Sequence, residues 1–223
     1  MEQEEVHTSQ SLKDKAYKHI KKEIITGAIK PGSIIDEKEY IQILQISRTP
    51  IREALVKLSE EGLVNIIARR SITVSYIQVK DIIDIYDIRK TLEPLAIERI
   101  KGKVDKEKLL AFKNAFNNIE MISSTSDGQD LDSEFHLYLA QCTQNKVLIN
   151  TEEILMCQSQ RMRALSSISN THMDKVARDE HIQIIDYLLA DNFEAAKKIC
   201  IQHLEGSLSR YQKLFTNNSF FTL

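Results

Sequence analysis

Across 223 residues the chain carries only 6 glycines and 3 prolines. Tight turns and helix stops rely on these two residue types, so their scarcity favours long helices joined by short connections. Two of the three prolines, Pro31 and Pro50, fall in the first quarter, which also holds the convincing strand pattern. The fold class that follows is mainly α, with β-structure confined near the amino end.

Between Leu12 and Thr26, Ala16, Ile20 and Ile24 recur at four-residue spacing, predicting an amphipathic helix that Gly27 can end. After the turn "KPGS", a second helix is expected over Glu37–Leu44 and a third over Arg48–Glu61, capped by Gly62. "LVNII" and "SITVSYI" are short β-rich runs around "ARRS" and read as a two-stranded hairpin. Three helices followed by a hairpin is the order of a winged helix-turn-helix. The remainder reads as an all-α antiparallel bundle, with helices near 79–101, 105–123, 128–142, 145–168, 171–190 and 192–215. The expected domains are therefore 11–77, DNA-binding, and 79–215, all-helical.

Charge follows the same division. Residues Ser11–Tyr76 hold 12 lysines and arginines against 8 acids, while the first ten residues and everything after Tyr76 are each mildly acidic. A basic front end suits a polyanion-binding module, although an excess this small also fits a solvated surface. No apolar run reaches the length of a membrane span and "MEQEEVHTSQ" is no secretory signal, so the cytoplasm is the expected location. Cys142, Cys157 and Cys200 form no CxxC pair and read as reduced, buried thiols.

The chemistry of the front end lies in "ISRTPIREAL". Ile51, Ala54, Leu55 and Leu58 share an inward helical face, while Arg48 and Arg52 project together beside Thr49. Ser47 or Thr49 can cap the first turn, and Pro50 is tolerated there. Arginine's fork matches guanine O6 and N7 in the major groove, making Arg48 the first candidate for base contact and Arg52 the second. Arg69 and Arg70, at the hairpin tip, could reach phosphate or the minor groove. A surface helix with incidental arginines, or Arg52 tied to an acid neighbouring Glu53, fits the same pattern.

The stretch "ITGAIKPGSIIDEKEYIQILQISRTPIREALVKLSEEGLV" resembles the amino-terminal winged-helix domain of the GntR family of bacterial transcription regulators, over Leu12–Tyr76. The resemblance implies DNA-contacting roles for Arg48, Thr49 and Arg52, with Ser47 beside them and Lys38 on the preceding helix. Gln45 and Ser71 stand where the family usually has glycine, in the turn and at the wing tip.

In the body, Asp132 and His136 of "DLDSEFHLYLAQ" lie four apart on one helical face. If "ADNF" turns between two antiparallel helices, His181 and His203 each sit about 15 Å from it and face one another. One Asp and three His from three helices suit a divalent ion such as zinc, nickel or manganese. Core histidines satisfied by hydrogen bonds fit the same spacing.

"IYDIRKTLEPLAIERI", "DLDSEFHLYLAQCTQNKVL" and "DEHIQIIDYLLADNFEAAKKICIQHL" are similar to the ligand-sensing FCD domain of the FadR subfamily, over about 81–210. Asp132, His136, His181 and His203 match the four ligand positions of its metal-containing members, whereas His7, His19 and His172 match none. The resemblance implies a repressor, acting as a homodimer on a palindromic operator and controlled by a small carboxylate-type effector beside the metal. Arg89 and Arg163 are candidates for pairing with that effector. For Arg89 a salt bridge to Glu93 is the competing reading, and Asn145 reads as a helix cap. A metal-dependent enzyme with an accessory nucleic-acid-binding domain is the alternative, although no HExxH motif is present. The tail "TNNSFFTL", with Phe220 and Phe221, reads either as disordered or as packing on a partner subunit.

Overall fold

The structure, a computed structural model, describes residues 11–67, 71–118, 131–165, 175–215 and 221–222. It divides into two compact units, Met1–Ser75 and Tyr76–Leu223.

In the first unit, α1 (Leu12–Ile25) starts at Ser11, whose hydroxyl accepts from the Asp14 N–H, and buries Ala16, Ile20 and Ile24 as the four-residue spacing requires. Gly27, at φ +71°, ends it. Helix α2 (Glu37–Leu44) is capped by Asp36 and buries Tyr40 and Leu44. Gln45 closes it at φ 55°, ψ 42°, the left-handed conformation that glycine takes most readily, while its amide donates to the Gln42 carbonyl at 2.6 Å.

Helix α3 (Arg48–Glu60) buries Ile51, Ala54, Leu55 and Leu58. Ser47, one of the two expected caps beside Thr49, occupies the N-cap position but makes no side-chain cap hydrogen bond. Strands β1 (Val64–Ile67) and β2 (Ser71–Val74) pair antiparallel, Val64 opposite Val74, and Ile34 adds a bridge to Thr73. The expected single strand over "SITVSYI" is corrected here. The Ser75 N–H still donates in register to the Leu63 carbonyl at 3.0 Å, but the Leu63 N–H goes to the Leu58 carbonyl at 2.9 Å instead of returning the bond, so β2 stops at Val74. Arg69 and Arg70 lie outside the described residues.

The second unit opens with β3 (Ile77–Gln78) and α4 (Val79–Arg99), in which the Asp81 carboxylate accepts from the Gln78 N–H at 2.9 Å. Pro94 lies inside α4 and supplies no N–H to the carbonyl one turn back. Helices α5 (Lys106–Asn117), α6 (Leu131–Cys142), α7 (Lys146–Leu165), α8 (Lys175–Leu189) and α9 (Phe193–Phe215) follow, and β4 (Phe221–Thr222) pairs parallel with β3. The end of the tail is thus a strand against its own chain, where the sequence suggested disorder or a partner contact; Phe220 lies outside the described residues. Asn145 caps α7 as expected, accepting from the Val147 and Leu148 N–H groups. The α8–α9 turn passes through Asp191 at φ 56°, and Asn192 caps α9.

A core of Ile82, Tyr86, Phe112, Phe116, Phe135, Leu139, Ile184, Leu188, Cys200 and Leu204 fills this unit. Its helices bring four distant polar side chains into that apolar surround.

Candidate functional site

In the amino-terminal unit, the exposed edge of α3 presents Arg48, Thr49 and Arg52. Its arginines are tied to Glu37, in the first turn of α2: Arg52 Nε donates to Oε1 at 2.7 Å, and Arg48 Nε lies 3.5 Å from Oε2. The acid that holds Arg52 is therefore on the preceding helix, not beside Glu53. The Glu37 hydrogen bond, and then its charge, raise the Arg52 pKa, so the guanidinium stays charged. Lys38 is exposed beside Glu37.

In the second unit, Asp132 and His136 come from α6, His181 from α8 and His203 from α9, and one ligand atom from each lies within 4.8 Å of all the others. His136 Nε2 is 3.1 Å from His181 Nε2, and Asp132 Oδ1 is 3.2 Å from His181 Nε2, 3.8 Å from His203 Nε2 and 3.9 Å from His136 Nε2. Neighbouring ligand atoms about 3.0–3.5 Å apart are what nitrogen and oxygen donors show around one ion at about 2.1 Å.

The surroundings fix which ring nitrogens face inward. Glu93 Oε2 lies 2.6 Å from His136 Nδ1, and Glu180 Oε2 lies 3.1 Å from His203 Nδ1. Carboxylates there hold the proton on Nδ1 and leave the Nε2 lone pairs directed at Asp132. Phe116 stacks on the His181 ring, centroids 4.6 Å apart and 2° from parallel. Two imidazole lone pairs and a carboxylate thus share the His181 Nε2 proton at most. A divalent cation satisfies all four atoms together, so the donor set fits one, and it would supply a Lewis-acid position for a ligand oxygen.

Electrostatics agree. Burial, followed by the nearby His181, pushes His203 down to about 3, and burial likewise lowers His181, so both favour the neutral form that binds metal. Burial would raise the Asp132 carboxyl, but the Arg163 guanidinium and the His181 hydrogen bond outweigh it and hold Asp132 well below the usual carboxylate range. Burial is outweighed at Glu93 too, by Arg89 and His136, leaving it at about 2.

The two candidate effector arginines lie close by. Arg163 Nη1 is 2.9 Å from Asp132 Oδ2, and Nη2 donates to Ser133 Oγ at 2.6 Å. Arg89 is fully buried and makes the Glu93 salt bridge offered as its competing reading, at 2.6 Å, with Nη1 donating to Ser159 Oγ at 3.2 Å. Its Nη2 has no hydrogen-bond partner among the described residues. Sequence reasoning missed Glu180 and Glu152, and treated Glu93 only as a partner of Arg89. Glu152 is buried on α7 with neither oxygen hydrogen-bonded among the described residues, and burial, then Glu93, push it up to about 8. Glu180 had a readable signal, standing next to His181 in "DEH".

A winged helix-turn-helix ahead of a helical unit that buries an Asp/His cluster has the make-up of a transcription regulator. Residues 12–74 match the model for bacterial regulatory proteins of the gntR family, and residues 84–206 match the FCD domain. The chain is 30% identical to the HTH-type transcriptional regulator YdhC of Bacillus subtilis (strain 168), over 84% of this chain and 85% of that relative. It is 23% identical to the HTH-type transcriptional repressor RspR of Escherichia coli (strain K12), over 96% and 95%. Its fold is similar to that of a GntR regulator from Rhodococcus sp. RHA1, with TM-score 0.78 and 20% identity over 92% of this chain and 99% of that one. Escherichia coli McbR/YncC is similar as well, at TM-score 0.75 and 19% identity over the same shares.

The chain belongs to the gntR family of bacterial helix-turn-helix transcription regulators, in the FadR-like branch that carries an FCD domain. This places it among regulators, not among the metal-dependent enzymes that an Asp/His quartet taken alone would also allow. No helix among the described residues is long and apolar enough to cross a membrane.

Proposed function

We propose that the protein is a cytoplasmic repressor that binds a palindromic operator as a homodimer and releases it when a small carboxylate-type metabolite binds beside a divalent metal. In this reading residues 11–77 form the DNA-binding domain. Arg48, Thr49 and Arg52 contact bases and phosphates at the start of α3, supported by Ser47 and Lys38, with Arg69 and Arg70 on the wing. Residues 79–215 form the effector domain. Asp132, His136, His181 and His203 hold the ion, whether zinc, nickel or manganese, and Arg163 and Arg89 pair with the effector carboxylate.

The observation that carries the effector half is the convergence of four donor atoms, with the His136 and His203 rings turned inward by Glu93 and Glu180. Two features support the arginine assignments: Arg163 already contacts the Asp132 carboxylate, and Arg89 keeps an unpartnered Nη2 in a buried setting. A carboxylate arriving near either gains a charge-assisted hydrogen bond.

Elemental analysis of protein purified without chelator or histidine tag tests the reading, beside His181→Ala and His203→Ala. About one divalent ion per chain, lost in both variants, is expected. No metal after incubation with zinc, nickel or manganese would refute the site.

A further inference from the structure

A single carboxylate hydrogen-bonds one arginine of the recognition helix and lies within ion-pair range of the other. Glu37 Oε1 takes Arg52 Nε at 2.7 Å while Oε2 lies 3.5 Å from Arg48 Nε. The acid's side chain is only 17% exposed, whereas those of Arg48 and Arg52 are 52% and 62% exposed. Both contacts are made through Nε, the nitrogen nearest the aliphatic stem.

An acid beside a DNA-facing edge repels phosphate, so by charge alone it weakens every duplex equally. Its effect on the two guanidiniums differs. An arginine tethered at Nε has fewer rotamers to lose when its outer fork meets guanine O6 and N7, and one tether serving two arginines also fixes their separation. Phosphates out of register meet the acid without that gain.

We propose that Glu37 is a positioning residue for base recognition, holding Arg48 and Arg52 so that their outer forks read guanines in the half-site and raising discrimination against non-operator DNA. The inference rests on the DNA-reading role of α3 proposed above.

The test uses full-length wild type, Glu37→Gln and Glu37→Ala, with two duplex probes: the one that wild type enriches from a randomised pool, and a scrambled version of the same composition. Fluorescence anisotropy at several salt concentrations gives both affinities, and thermal unfolding confirms that the variants fold. In both variants, affinity for the enriched duplex should fall while affinity for the scrambled duplex rises, so that their ratio drops by about tenfold. A merely structural role would move both affinities together. A ratio that is unchanged or raised overturns the proposal and leaves the DNA-binding reading intact. Failure of the wild type to enrich any duplex overturns both.

Discussion

Replacing Glu180 by alanine leaves all four proposed ligands in place and removes the acceptor 3.1 Å from His203 Nδ1, along with the one that Gln202 Nε2 donates to at 3.3 Å. The ring then has no carboxylate to hold its proton on Nδ1, and losing such an orienting partner lowers metal affinity about 10–100-fold. At a zinc concentration about 100 times the wild-type Kd, binding stabilises the folded wild type by about 2.7 kcal/mol. At that same concentration the variant stands at about 1–10 times its own Kd and gains about 0.4–1.4 kcal/mol. The zinc-dependent gain thus shrinks by about 1.3–2.3 kcal/mol, or about 3–9 °C in unfolding midpoint for a chain of this size. The assay is thermal unfolding of chelator-stripped protein with and without zinc, using His203→Ala as the reference that lacks a ligand. Comparing zinc-induced shifts within each variant cancels the stability change caused by losing Glu180 itself. A shift in Glu180→Ala equal to that of wild type refutes the orienting role, and an undiminished shift in His203→Ala refutes the site.

Arg48→Ala and Arg52→Ala should each cost about 1–3 kcal/mol of discrimination between enriched and scrambled duplexes, whereas Lys38→Ala should weaken both duplexes alike and reduce the salt slope by about 1; anisotropy titrations separate the two patterns. Burial depresses His203 from about 6.5 when unfolded to about 3 when folded, so the unfolded chain binds the proton first as pH falls. Metal-free protein should therefore lose stability from about pH 6.5 down to about pH 3, by up to about 1.4 kcal/mol per pH unit from this group, as urea midpoints in chelator will show. Glu152 has the opposite sign: its folded pKa is raised to about 8, so the stability tied to its neutral carboxyl is present below about pH 4.5 and lost as pH rises to about 8. Glu152→Gln should then be more stable than wild type by about 1–3 kcal/mol at pH 8, with the gap closing near pH 4.5; a constant gap would count against a buried neutral acid.

Periodicity made the helices legible because each buries one stripe: Ala16, Ile20 and Ile24 on α1, and Ile51, Ala54, Leu55 and Leu58 on α3, are the buried residues that their spacing indicates. The facing of His181 and His203 was equally readable, since a tight α8–α9 turn fixes which residues stand at equal height, and their ring centroids lie 4.2 Å apart. What escaped the sequence depends on contacts between segments far apart in the chain. Glu93 reaches His136 from α4, and Glu37 reaches forward from α2 to Arg52, 15 residues on. No local pattern distinguishes such an acid from one facing solvent. The split of "SITVSYI" was hidden for a related reason: the Ser75 N–H keeps the ladder's register with Leu63, but the Leu63 N–H goes to Leu58 instead of returning the bond, a choice between backbone partners that side-chain alternation does not encode.

Parallel pairing of β3 with β4 has an engineering consequence. Ile77 and Gln78 open the second unit, and Phe221 and Thr222 run beside them, so the chain enters and leaves that unit at neighbouring strands, about 4.8 Å apart. A segment whose two ends meet is topologically a cassette. It can be spliced into a surface loop of a reporter protein with two short joints, or circularly permuted by linking the paired ends and opening a helix connection elsewhere. A change in the spacing of the paired ends would then be read as a change in the host.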